Sequence, residues 1–176
     1  MRDGIKNFTQ SQLDIYYKES ANARKILDAL KTIPGTQPDG SIDKLQLINW
    51  VTLVRELATR SQCIHAVDPQ IGSLLACFPR DNHWPLDEIC EIIDRINSES
   101  MISSFETDIY NSRGSYVKGV YEGGGQERSI AAYFQRIGEQ ISNKWPITAS
   151  ILFKLSDNYI ENAKREDDSA YLDELR

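Results

Sequence analysis

Apolar residues recur along this chain at steps of three and four, and no stretch sustains the every-second-residue alternation of a half-buried strand. That pattern lays one apolar stripe on each of a series of helices. The spacing predicts a first helix over about 10–31, capped by Thr9 or Ser11, with a stripe of Leu13, Tyr16 or Tyr17, Ala23, Ile26, Leu27 and Leu30. Pro34-Gly35 ends it, and the cluster Thr36 to Gly40 is a turn in which Pro38 and Gly40 set the reversal. Ser41 is the expected N-cap of a second helix, with Asp43 in its first turn and fraying expected near Ser61. Its apolar face is Leu47, Trp50, Val51, Val54, Leu57 and Ala58, widened by Ile42, Leu45, Ile48 and Leu53, which predicts a central helix with neighbours on two sides.

Asp68-Pro69 and Trp84-Pro85 each have the order of a residue followed by proline at a first helical position. They predict a short helix through Ile71, Leu74, Leu75 and Phe78, and another through Leu86, Ile89, Cys90, Ile93 and Ile96. Ser98 caps a further helix through Met101, Ile102, Phe105 and Ile109, closed near Gly114. Two long helices follow, over about 126–143 and from Pro146 onward, and a link as short as Trp145-Pro146 predicts an antiparallel hairpin. The fold class is therefore all-α, with about seven helices ending in that hairpin and a glycine-rich loop before it. The expected organisation is a single helical domain over 1–176, divisible into a bundle over 1–110 and the hairpin over 126–176.

Composition bounds the function. A chain of 176 residues, 40% hydrophobic and 26% charged, buries enough surface to fold without disulfides or metal. Its formal charge of −6 disfavours nucleic acid, whose binders carry a basic stripe. No apolar run reaches membrane-spanning length, and the N-terminus lacks the apolar core of a signal peptide. Three cysteines without CxxC spacing fit reduced thiols in a cytoplasm.

The segment 108–128 is the longest without helical periodicity and holds five of the ten glycines. Gly123-Gly124-Gly125 leads into a helix whose first turn carries Gln126, Glu127 and Arg128. Free amides at such a start, with Arg113 or Arg128 nearby, can hold an anion, although Glu127 already places negative charge at the positive helix end. The pattern matches neither a P-loop nor a dinucleotide fingerprint, and the simpler reading is a connection whose glycines adopt positive φ. Asn111, Arg113, Tyr116, Tyr121, Gly124, Gly125 and Arg128 are the candidate binding residues, with the two tyrosines as exposed contacts.

Cys63, His65, Cys77, His83 and Cys90 fall within 28 residues, but their spacing matches no common zinc module, and small buried hydrophobes are the better reading of the cysteines. No G-x-S-x-G elbow or papain-like cysteine context is present. The pairs Glu88/Glu91 and Glu166/Asp167 read as solvated charge, and Trp50, Trp84 and Trp145 as core. No catalytic residue, metal or cofactor is expected, which leans against an enzyme.

With those residues placed, the chain resembles the helical C-terminal region of large uncharacterised bacterial multidomain proteins. The matching pieces are Pro34-Gly35-Thr36, Asp39-Gly40, Trp50-Val51, Ile71-Gly72, Trp84-Pro85, Tyr110 to Gly114, and Gly124 to Arg128, completed by Pro146, Tyr159, Ala163 and Asp167. The resemblance implies no catalytic residues. It implies a helical accessory or scaffolding segment of a bacterial assembly, with a role in defence. The leading expectation is thus an interaction module that docks onto a protein partner or belongs to a larger parent protein. The alternative is a small-molecule or phosphate-binding domain that uses the 110–128 loop.

Overall fold

A computed structural model describes residues 9–29, 32–77, 84–113 and 123–174. Among the described residues lie seven helices and no strand: α1 (Gln10–Ala29), α2 (Lys44–Arg60), α3 (Ile64–Ala76), α4 (Asp87–Ile96), α5 (Glu99–Asn111), α6 (Gly125–Ile141) and α7 (Pro146–Glu174). The all-α expectation holds. Phe78, His83, the segment 114–122 with Tyr116 and Tyr121, and most side chains of the α1 stripe lie outside the described residues.

Local side chains satisfy free amides at the starts of α1 and α2, whereas Ser98, the expected cap of α5, precedes that helix without a side-chain cap bond. Thr9 starts α1 through a reciprocal box: its N–H donates to Gln12 Oε1 at 2.9 Å, and its Oγ1 accepts from Gln12 N–H at 3.4 Å. Asp43, not Ser41, caps α2 by accepting from Gln46 N–H at 2.9 Å. Ser41 is engaged one turn earlier, donating to Asp39 Oδ1 through both its N–H and its hydroxyl. These two bonds hold the Asp39 carboxyl below its ordinary pKa.

The proline expectations need correction. Pro69 lies inside α3, which starts at Ile64 after Cys63. Proline there removes one helical N–H, but the longer helix carries Val67, Ile71, Leu74 and Leu75 into the core. It also presents Asp68, only 4% exposed, to Arg55 of α2, whose Nε and Nη2 donate to its two oxygens at 2.8 and 3.1 Å. Pro85 likewise precedes α4 rather than opening it, since Leu86 is the N-cap and Asp87 the first helical residue.

One apolar cluster joins Leu47 and Val51 of α2, Ile71 and Leu75 of α3, Ile89 and Ile93 of α4, and Met101, Phe105 and Ile109 of α5. It continues through Phe134 of α6 and Leu152, Leu155 and Tyr159 of α7. Each such side chain contributes roughly 1.5–3 kcal/mol on burial. Glycine sets two of the closest approaches. A Cβ on Gly72 would lie 2.2 Å from the Met101 carbonyl oxygen, so α3 and α5 meet backbone to backbone. Along α6 the contacts with α7 run in reverse order: Gly138 faces the Phe153 ring, the Ala131 carbonyl accepts from Ser156 Oγ at 2.9 Å, and Gly124 abuts Ala163. α7 therefore runs back along α6.

The turn between α6 and α7 is held from α4. Asp94 accepts from Ile147 N–H at 2.8 Å, from Thr148 N–H at 2.9 Å and from Thr148 Oγ1 at 2.6 Å, so a distant carboxylate caps α7. Asp87 accepts from Lys144 Nζ at 2.5 Å and Trp145 Nε1 at 2.9 Å.

α2 has two neighbours, α3 through the Arg55–Asp68 pair and α4 through the Lys44–Glu91 pair, but among the described residues they leave its widened apolar face open. Leu47, Val51 and Ala58 are buried, but Leu45, Leu53 and Leu57 are 69%, 55% and 51% exposed. Of the tryptophans only Trp84 is fully buried; Trp50 and Trp145 are half-buried.

Candidate functional site

The described motif residues, 110–113 and 123–128, gather where the C-terminal end of α5, the start of α6 and the C-terminal half of α7 meet. Tyr110 and Asn111 close α5, and Arg113 follows its cap at Ser112. Arg113 Nη1 donates to Glu127 Oε1 at 2.8 Å, and its guanidinium lies 5.6 Å from the centre of the Tyr159 ring. Glu127 is 1% exposed. A carboxylate taken so far from water needs compensation, and Arg113 supplies a charged partner for it.

The glycines meet α7. Gly124 is the residue before α6, and its N–H donates to Asp167 Oδ1 at 2.8 Å. A Cβ at Gly124 would fall 2.3 Å from the Ala163 carbonyl oxygen, so only glycine allows this approach. Gly123 has a φ of +59° and also faces Asp167, whereas Gly125, the first residue of α6, meets open space. Arg128 pairs with Asp167 as well. The positive end of α6 is therefore occupied by Asp167, a carboxylate from the same chain.

Of the candidate binding residues, the structure brings Asn111, Arg113, Gly124 and Arg128 to one end of the molecule, with Gly125 beside them. Asn111 and Arg113, with Tyr110, Glu127, Tyr159, Asn162, Arg165 and Glu166, line a cavity of about 440 Å³. Asn162 Nδ2 donates to the Tyr110 hydroxyl at 2.6 Å, and the Tyr110 and Tyr159 rings lie 5.2 Å apart. Asp167 is not simply the solvated charge expected of it, since it fastens α7 to the start of α6. The only prior sign of its role was its place in the pattern that also contains Tyr159 and Ala163.

The described cysteine and histidine residues, Cys63, His65, Cys77 and Cys90, form no metal-binding cluster, and no three His, Cys, Asp or Glu side chains among the described residues are placed to hold a metal. His65 is exposed on α3. Burial pushes the Cys90 thiol up to about 12, which keeps it protonated and poorly nucleophilic at neutral pH. Only Cys90 is the buried cysteine expected; Cys77 is exposed at the end of α3, where partial desolvation, and after it the Asp108 carboxylate, still raise its thiol. No helix among the described residues is long and apolar enough to cross a membrane.

No protein-family model matches the chain, and no curated protein or solved structure matches it either.

Proposed function

We propose that this chain is a non-catalytic protein-interaction or scaffolding module of a bacterial cytoplasmic assembly, one with a role in defence. The observation that carries the reading is the outward face of α2. Leu45, Leu53 and Leu57 stand in solvent on a helix whose other side is in the core. Scattered single leucines are ordinary on a surface, but several along one helix, with half-buried Trp50 beside them, form the kind of patch that marks a contact. The bacterial setting and the defence role rest on the resemblance of the Tyr110–Gly114 and Gly124–Arg128 motifs.

The phosphate or small-molecule reading has less support. Arg113 and Arg128, the cations it relies on, are engaged by Glu127 and Asp167. Affinity capture of the tagged chain from its host, beside the Leu53→Ser/Leu57→Ser double variant, tests the interaction reading. A protein recovered in stoichiometric amount by the parent chain and lost with the variant is the expected result. Equal recovery by both, or none by either, would overturn it.

A further inference from the structure

The groove between α5 and α7 is polar, with its charges largely paired. A cavity of about 340 Å³ there adjoins the one of about 440 Å³ at the start of α6, since Tyr110, Asn162 and Arg165 line both. Arg113 is taken by Glu127 at 2.8 Å, Glu106 by Lys154 at 2.8 Å, and Arg165 stands 3.9 Å from Glu161. What is left to meet a ligand is amide and hydroxyl. Among the described residues the side chains of Asn111 and Asn158 have no hydrogen-bond partner, and Asn162 gives one N–H to the Tyr110 hydroxyl at 2.6 Å. The Asn162 Oδ1 can still accept and the Tyr110 hydroxyl can still donate.

Asn158 and Asn162 are half-buried one turn apart on the same face of α7, where both line the groove. That places them about 6 Å apart along the helix axis. An extended chain turns every second peptide unit to the same side, at a repeat of about 6.6 Å. Each carboxamide offers an acceptor oxygen and a donor N–H, the complement of the N–H and C=O that a peptide unit presents. Two asparagines at this spacing can therefore each hold one peptide unit of a strand laid along α7. Tyr110, 37% exposed across the groove on α5, gives a side chain of that strand a ring to rest on.

We infer that the groove between α5 and α7 binds an extended, uncharged segment of a partner protein and reads its backbone through Asn158 and Asn162. The inference rests on the interaction-module reading and adds a second surface, separate from the α2 leucines. From Asn158 to Arg165 the helix rises about 10 Å, room for about three residues of extended chain. Main-chain hydrogen bonds supply the affinity, so the shape of the segment matters more than its sequence. With no ionic contact, the affinity is the same at low and at high salt.

Selection of a phage-displayed random peptide library on the immobilised full chain is the test. Selected peptides are then titrated, by fluorescence polarisation, with the parent chain, with Asn158→Ala/Asn162→Ala and with Leu53→Ser/Leu57→Ser. Alanine is the better helix former, so the asparagine variant keeps its helices, which circular dichroism checks. The expected result is peptides whose affinity falls at least about tenfold with the asparagine variant and holds with the leucine variant. Methylating the peptide's backbone N–H groups in turn should weaken binding at one or two of them. No selected peptide, or binding indifferent to the two asparagines or to backbone methylation, overturns the inference. Peptides lost only with the leucine variant overturn it as well, but leave the interaction reading standing.

Discussion

The start of α6 and the outer face of α2 invert what their sequences advertise. Around α6 the conspicuous residues, glycines and arginines that look made for a ligand, are turned inward on their own chain. Arg113 neutralises Glu127, Arg128 and Gly124 hold Asp167, and Gly124 lets the α7 backbone approach. On α2 the inconspicuous residues, leucines in an ordinary helical stripe, stand in water. A motif distinctive in composition can be distinctive because the fold needs it. A contact surface can be written in residues that any core also uses.

Substitution should separate the two regions sharply. Arg113→Ala removes a charged partner of the buried Glu127 carboxylate and should cost about 3 kcal/mol in denaturant unfolding, whereas Leu57→Ser on α2 should stay within about 0.5 kcal/mol. Equal losses would erase the contrast. Next comes Gly124→Ala, whose Cβ collides with Ala163 backbone; a loss of about 1–3 kcal/mol is expected. Gly125→Ala, one residue on, meets open space and should be neutral or slightly stabilising, so this neighbouring pair isolates the close approach from helix propensity.

Asp94→Ala removes the cap of α7 and should lower stability by about 1–2 kcal/mol, read as a fall in Tm. The smallest effect belongs to Asp87. Hydrogen bonds from Lys144 and Trp145 lower its carboxyl pKa, so the folded chain binds that proton less tightly than the unfolded chain. Its contribution is full above the ordinary aspartate value near 3.9 and is lost as pH falls through the lowered folded value. The pair is largely exposed, so the difference between parent and Asp87→Asn should be about 0.5 kcal/mol or less at neutral pH and should fade in acid.

Much of the architecture was legible because helix formation is local. The stripes of α4, α5 and α7 needed only the periodicity of Ile89–Ile93, Met101–Ile109 and Ile151–Ala163, and all of those helices are present. Boundaries were less legible. Ser41 and Asp43 are both good caps, and the choice fell to Asp43 because Asp39 had already engaged Ser41. Pro69 suggested a helix start, but the core called for one more turn before it.

The site was least legible because its bonds are remote in sequence. Arg113 reaches 14 residues along to Glu127, and Gly124 reaches 43 to Asp167. The α2 leucines failed for a related reason, since periodicity shows which side of a helix is apolar and not what stands against it. Tyr116 and Tyr121, the expected exposed contacts, lie outside the described residues.

The carboxylate that Asp94 lends to α7 has a consequence for exchange with solvent. The first amides of a helix lack intrahelical acceptors and ordinarily trade their protons with water quickly. Those of Ile147 and Thr148 bond to a residue more than fifty positions upstream, so their deuterium uptake is set by the opening of α4 against α7 rather than by fraying of α7. Two slow amides at the head of one helix thus time the separation of another, and Asp94→Ala should return both to the fast exchange of an uncapped end.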